Sequence, residues 1–306
     1  ITRVFNGETK RIMTCINGHT REVPRPWGGD LPIALVNFDG SPLDKQETLQ
    51  DVLKRKFQEE NIESYDRGFI DGRRVRDGYL CPVCNKEKMM AGVEESEWEV
   101  KDYNTKEVLS QLPEIITVNV GRFNNDNQKI TLPVLITKTI NLKDYTTDTS
   151  EHNYTLKAII RHRGNTPRSG HYLADCNIMG KWYHFDDLQP ADDFPKGRPG
   201  VEWTKDPTQD PSVKQQAYKL YYVRNDKVGK PTEYQRNDTC NLQNLGWSCY
   251  MSAAIQCVFS LTPFREIILG KTPLRPPPPP PSKKAAPPPK KAAPPPKKTP
   301  PPLPPL

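Results

Sequence analysis

The sequence predicts an α+β fold, with an antiparallel sheet at its centre and a disordered C-terminal tail. Three observations carry this. First, alternating, β-branched runs recur between turn residues, most clearly at Tyr154–His162, His171–Cys176 and Trp182–Phe185. Second, two segments have helical periodicity, Asp44–Asn61 and Tyr250–Ser260. Third, from Pro276 onward the chain is almost wholly proline, lysine and alanine. Such a composition cannot bury a core and favours polyproline II.

From the N-terminal side, Cys15-Ile-Asn-Gly-His19 offers a thiolate and an imidazole, and Cys81-Pro-Val-Cys84 has the spacing of a zinc knuckle. Each pair is half of a tetrahedral site, and together they make a Cys3His set. The alternatives are a lost metal site or a Cys81/Cys84 redox disulfide, the latter without a thioredoxin-like βαβ setting. Between the pairs, Leu49, Val52, Leu53 and Phe57 fall on one face of the Asp44–Asn61 helix, with Ser41-Pro42 as its start signal. Leu112–Phe123 reads as a strand. After Tyr154–His162 comes a loop, Arg163–Gly170, then His171–Cys176, a turn at Asn177–Lys181, and Trp182–Phe185. The last two strands form a hairpin that brings His171 close to Asp186. Ala217–Val223 is a further strand.

The chemistry centres on Cys249. A cysteine attacks as its thiolate, which a helix N-terminus stabilises. Gly246-Trp247-Ser248 is turn-prone, Ser248 is a candidate N-cap, and Cys249 falls in the first helical turn. Met251, Ala254, Ile255, Val258 and Phe259 are expected on the helix's packed face. Asn244 can donate its amide to an oxyanion. An isolated helical cysteine is usually a core residue, as Cys257 is expected to be. A nucleophile needs a histidine and a group to orient it. Of His19, His152, His162, His171 and His184, only His171 has an aspartate brought to it by a hairpin.

These residues resemble two boxes of the ubiquitin-specific proteases, which are papain-like cysteine peptidases. Asn241-Leu-Gln-Asn-Leu-Gly-Trp-Ser-Cys-Tyr-Met251 resembles the cysteine box, Gly-Leu-x-Asn-x-Gly-x-Thr-Cys-Tyr-Met. Gly170-His171-Tyr172 and Trp182-Tyr183-His184-Phe185-Asp186-Asp187 resemble the histidine box. The resemblance implies Cys249 as nucleophile, His171 as general base, Asp186 as its orienter, and Asn244 and Asp187 near the oxyanion. It makes His162 a structural strand-end histidine. It further implies a palm sheet, a zinc-bearing fingers extension holding Cys15, His19, Cys81 and Cys84, and ubiquitin as partner. The order is unusual, because the cysteine box normally opens the domain and here follows the histidine box. Only a short helical stretch follows Cys249, so most of the thumb is missing.

The expected organisation is fingers and palm over 1–224, a polar linker over 225–240, the cysteine-box helix over 241–272, and the proline-rich tail over 273–306. The expected activity is hydrolysis of peptide or isopeptide bonds after the C-terminal glycine of ubiquitin. The rival is an inactive fragment or a ubiquitin-binding scaffold. The tail can dock SH3, WW or EVH1-type domains, or act as a spacer. It holds several of the lysines behind the net charge of +7, so the basic excess does not argue for nucleic acid. Seven cysteines, an odd number, point to a reducing compartment, cytoplasmic or nuclear. No stretch has the length of a transmembrane helix. The start at Ile1 carries no signal peptide and no methionine, which reads as a fragment or a processed product.

Overall fold

A computed structural model describes residues 2–37, 41, 43, 47–70, 73–124, 126–188, 200–228, 242 and 248–270. All lie in one compact unit, Ile1–Thr272; Pro273–Leu306 is a second unit. The expected tail, and residues 229–240 of the expected linker, lie outside the described residues. Asn225–Lys227, expected in the linker, instead form a short 3-10 turn continuing the sheet.

The chain begins α1 (Thr2–Phe5), β1 (Gly7–Cys15), β2 (Thr20–Trp27), β3 (Asp30–Ile33), α2 (Leu49–Phe57), β4 (Glu60–Ile62), β5 (Tyr65–Ile70) and β6 (Arg73–Asp77). It continues α3 (Lys86–Met90), β7 (Tyr103–Gln111), β8 (Ile115–Val120), β9 (Thr139–Asn141), β10 (Asn153–Thr166), β11 (Ser169–Ile178) and β12 (Lys181–Phe185). It closes with β13 (Val201–Glu202), α4 (Pro211–Gln216), β14 (Ala217–Arg224), α5 (Cys249–Ser260) and α6 (Thr262–Ile268). The central sheet runs β13-β12-β11-β10-β14-β8-β3, with β9 beside β10. It is antiparallel except for the β3–β8 pair. A second sheet, β2-β1-β7-β4, forms the extension, and β5-β6 is a separate hairpin.

The central sheet is covered on both faces. Tyr154, Leu156, Ile159, Leu220 and Tyr222 pack with the α2 side, on Leu49, Val52, Leu53 and Phe57. Ala158, Ile160, Ala174, Cys176 and Tyr221 pack with the α5 and α6 side, on Ala253, Cys257 and Leu261. That explains the unbroken buried run over residues 158–162 in β10, since a strand with two covered faces has no solvent side. Arg122 ties loops to this core. Its buried guanidinium donates to the carbonyls of Ala217, Ile130, Leu132 and Lys214, and burial lowers its pKa to about 10.

Several expected bounds shift for physical reasons. Helix α2 starts at Thr48 rather than near Ser41. Thr48 and Asp51 form a reciprocal capping box, and Gln58 turns extended so that Glu60–Ile62 can pair with β7. The strand expected over Leu112–Phe123 is ordered as β8 only over Ile115–Val120. The expected loop Arg163–Gly170 is mostly strand. Thr166 pairs with Ser169, so β10 and β11 extend to a tight turn.

Helix α5 corrects the expected packing face. Ser252, Ala253, Cys257 and Ser260 are buried. Met251, Ile255 and Phe259 stay 56%, 43% and 37% exposed. Small side chains let the helix backbone approach β11 closely, and the bulkier apolar residues face outward.

Candidate active site and metal-binding cluster

The β11–β12 hairpin builds the first part of the site. His171 stands near the start of β11, and Asp186 follows the last residue of β12. The ladder pairs Ala174 with Phe185 and turns at Met179-Gly180, which folds Asp186 back onto His171. The His171 Nε2–H donates to Asp186 Oδ1 at 2.7 Å. Asp186 Oδ1 also accepts the Leu188 N–H at 3.0 Å. Burial raises the Asp186 pKa, but the Leu188 N–H and the His171 ring outweigh it and hold the carboxyl below its usual range. Asp187 Oδ1 lies 3.8 Å from the same ring nitrogen. With Nε2 committed to Asp186, Nδ1 is the nitrogen left for a thiol.

The other histidines have different surroundings. His152 Nε2–H donates to the Asp148 carbonyl. His184 lies against the buried Asp175 and Arg161. His19 joins the cysteine cluster. His162 is fully buried, with neither ring nitrogen hydrogen-bonded among the described residues. It sits 4.7 Å from the Tyr172 ring and 5.4 Å from Phe123, centroid to centroid. Burial, then Lys129 and His171, lower its pKa to about 4. Gly170 has φ +150°, and a Cβ there would meet His162 Nε2 at 2.5 Å. The glycine before His171 is therefore required by packing.

Helix α5 brings Cys249 to this hairpin as its first residue, half-buried. Ser248 holds the N-cap position but makes no side-chain capping bond. The Tyr250 ring stacks edge-on to Tyr172 at 4.9 Å. Burial, with Tyr218, Tyr250 and Cys249 nearby, pushes the Tyr172 hydroxyl up to about 12. Cys249 thus lies beside the residue that follows His171. Among the described residues no hydrogen bond joins its thiol to the imidazole. Cys257 is fully buried against Cys176, and burial raises its pKa well above the usual value. It is the core residue expected. Asn244 lies outside the described residues.

The second cluster joins residues far apart in the chain. Cys15 ends β1, His19 sits in the turn before β2, and Cys81 and Cys84 lie before α3. His19 Nδ1 is 3.5 Å from Cys15 Sγ, 3.3 Å from Cys84 Sγ and 3.7 Å from Cys81 Sγ, and Cys15 Sγ is 3.8 Å from Cys84 Sγ. A tetrahedron with metal–sulfur bonds of about 2.3 Å has edges of about 3.8 Å, so these spacings suit a four-coordinate ion. Gly18, at φ +79°, makes the turn that lets His19 face the thiols. Burial raises the Cys15 thiol, but hydrogen bonds from the His19 and Asn17 backbone and the neighbouring thiols bring it to about 7. The four residues can hold a metal ion.

The sequence did not point to the aromatic packing of His162, Tyr172 and Tyr250, whose partners come from three separate elements. Nor did it point to the Arg161–Asp175–His184–Trp203 network. A charged pair within alternating strands was its one visible signal.

Comparison with known proteins bears on the family. The family model described as ubiquitin carboxyl-terminal hydrolase matches residues 1–222; Cys249 lies beyond the matched range. The chain is 30% identical over 127 residues to ubiquitin carboxyl-terminal hydrolase 23 of Arabidopsis thaliana, covering 40% of this chain and 13% of that protein. It is 26% identical over 196 residues to ubiquitin carboxyl-terminal hydrolase 9 of Saccharomyces cerevisiae, covering 61% and 22%. It therefore spans less than a quarter of either relative. Among solved structures, the SAGA DUB module of Ubp8, Sgf11, Sus1 and Sgf73 bound to monoubiquitin aligns with a TM-score of 0.47 at 20% identity, covering 72% of this chain and 41% of that one. With the match to the family model spanning most of its length, the chain belongs to the ubiquitin carboxyl-terminal hydrolase family.

Proposed function

We propose that this chain is a thiol-dependent deubiquitinase that cleaves the peptide or isopeptide bond after the C-terminal glycine of ubiquitin. The observation that carries the reading is the His171 Nε2–Asp186 bond of 2.7 Å, which leaves Nδ1 for the thiol of Cys249 on a helix packed beside Tyr172. In the reaction, the Cys249 thiolate attacks the scissile carbonyl carbon and a thioester forms. His171 gives its proton to the leaving amine, then takes one from the water that hydrolyses the thioester. Asp186 orients the imidazole and stabilises its protonated form. Asn244 and Asp187 are assigned to the surroundings of the oxyanion.

Zinc is the proposed occupant of Cys15, His19, Cys81 and Cys84. It fits the thiolate and imidazole donors, and its task is structural. The ion would join the β1–β2 turn to the loop before α3. Chelation is expected to lower the melting temperature and to release about one zinc per chain, measured by a chromogenic chelator. A metal-free preparation with the same melting temperature would remove the assignment. Cytoplasmic or nuclear location and docking of SH3, WW or EVH1-type domains on the tail are proposals from the sequence alone.

The test of the main reading is labelling with ubiquitin carrying a C-terminal thiol-reactive warhead. The expected result is a covalent adduct in the wild type that disappears in Cys249→Ala. Ubiquitin binding without any adduct would instead favour the scaffold reading.

A further inference from the structure

A second feature lies at the other end of the β11–β12 hairpin. It is a cleft of about 460 Å3. Its lining residue Asn177 lies six positions along β11 from His171. That is roughly 20 Å at about 3.3 Å per residue. A volume of this size is within the range of ligand sites.

The cleft is built on rigid parts. Asn177 pairs with Trp182 across the ladder, and the Trp203 N–H donates to the Trp182 carbonyl at 2.8 Å. Trp203 is further fixed through its indole, whose Nε1–H donates to Asp175 Oδ1 at 2.9 Å. The Arg161 guanidinium lies 5.8 Å from the Trp203 ring. Asp175 is wholly buried. Its carboxyl stays below the usual range because the His184 hydrogen bond and Arg161 outweigh burial. The Trp203 indole is thus set in place before any ligand arrives, and Trp182 packs partly buried against the same core.

The charges around the cleft do not balance. Its two acids are already paired, Asp206 with Lys138 and Glu202 with Lys181. Lys205 lines the cleft with no carboxylate partner among the described residues. Lys157 does not line the cleft itself, but its Nζ donates at 3.3 Å to Oδ1 of Asn177, which does. Among the described residues that neutral amide is its only polar partner. Burial lowers the Lys157 pKa. A desolvated ammonium beside a neutral amide is costly, and an approaching anion relieves that cost.

We propose that this cleft docks an acidic peptide segment of a partner protein, with carboxylates toward Lys157 and Lys205 and an apolar side chain on Trp182 and Trp203. The site is separate from the hydrolytic centre. Charge selects the peptide and the indoles hold its apolar residues, so an extended segment that alternates the two suits the cleft.

The test is fluorescence anisotropy on the full chain. The probe is a fluorescein-labelled peptide of alternating glutamate and phenylalanine, with a glutamine–phenylalanine control. The glutamate peptide is expected to bind, to weaken with added salt, and to bind about tenfold more weakly to Lys157→Met/Lys205→Met, as two part-exposed charge pairs would give. Lys157→Met removes a charge that has no carboxylate partner among the described residues, so this variant is expected to fold, which circular dichroism checks. Its reaction with the ubiquitin warhead is expected to be unchanged. The proposal is overturned if both peptides bind alike, or if the double variant binds the glutamate peptide as well as the wild type. Displacement of the peptide by inorganic phosphate at a concentration where sulfate has no effect would overturn it in favour of a small-anion site.

Discussion

The β11–β12 hairpin and helix α5 both contribute to the candidate active site, but they are positioned differently. His171 and Asp186 are only fifteen residues apart, and a backbone ladder sets their register. Shifting that register by one residue would turn every side chain to the opposite face, so the His–Asp bond is built into the sheet. Cys249 rides on a helix held by side-chain packing, through Tyr250 on Tyr172 and through Ala253 and Cys257 in the core. The proposed base, His171, is therefore preorganised by local chain geometry, and the proposed nucleophile, Cys249, by a docked surface. Packing changes should reach the nucleophile first.

The largest expected effect falls on the hairpin. His171→Ala should lower kcat/KM on a fluorogenic ubiquitin substrate by about 10²–10⁴-fold, the usual contribution of general acid–base catalysis. The melting temperature should move little by comparison. If His184→Ala caused the larger loss, the assignment of the base to the hairpin's first strand would be broken.

A smaller effect sharpens the contrast with α5. Ala253 is buried where the helix meets β11. Ala253→Leu should cost about 1–3 kcal/mol of local overpacking. Activity should fall severalfold while the main unfolding transition of the sheet keeps its cooperativity, followed by circular dichroism. Loss of the sheet transition in step with activity would mean that helix and hairpin form one inseparable unit.

A third effect, confined to acid pH, concerns His162, buried in β10 beside the hairpin. Its folded pKa of about 4 is below the ordinary 6.5, so the unfolded chain takes up the proton first. Stability should therefore fall as pH drops from 6.5 toward 4, with a slope of at most about 1.4 kcal/mol per pH unit. His162→Phe should flatten the urea-unfolding free energy over that window. An unchanged pH slope would show that His162 is not the group responsible.

Much of the hairpin was legible because strand alternation has a period of two, and a short turn fixes which ends meet. The pairing of His171 with Asp186 follows from those two facts. The Cys3His cluster was legible as two candidate halves with 61 residues between them. Their meeting at 3.3–3.8 Å depends on β1 pairing with β7, a long-range contact that neither half encodes. The face of α5 was misread for a related reason. Hydropathy put Met251, Ile255 and Phe259 inward, but the space against β11 accepts only small side chains.

The amino-acid sequence alone determined the family and the strand hairpin, and it singled out Cys249, His171 and Asp186 as the candidates, because motif spacing and local periodicity are properties of neighbouring residues. Tertiary structure decided which face of α5 is buried, how four distant side chains converge on one cluster, and where Lys157 sits without a carboxylate partner among the described residues. Those outcomes depend on volume, burial and charge balance between segments far apart in the chain, and no local pattern records them.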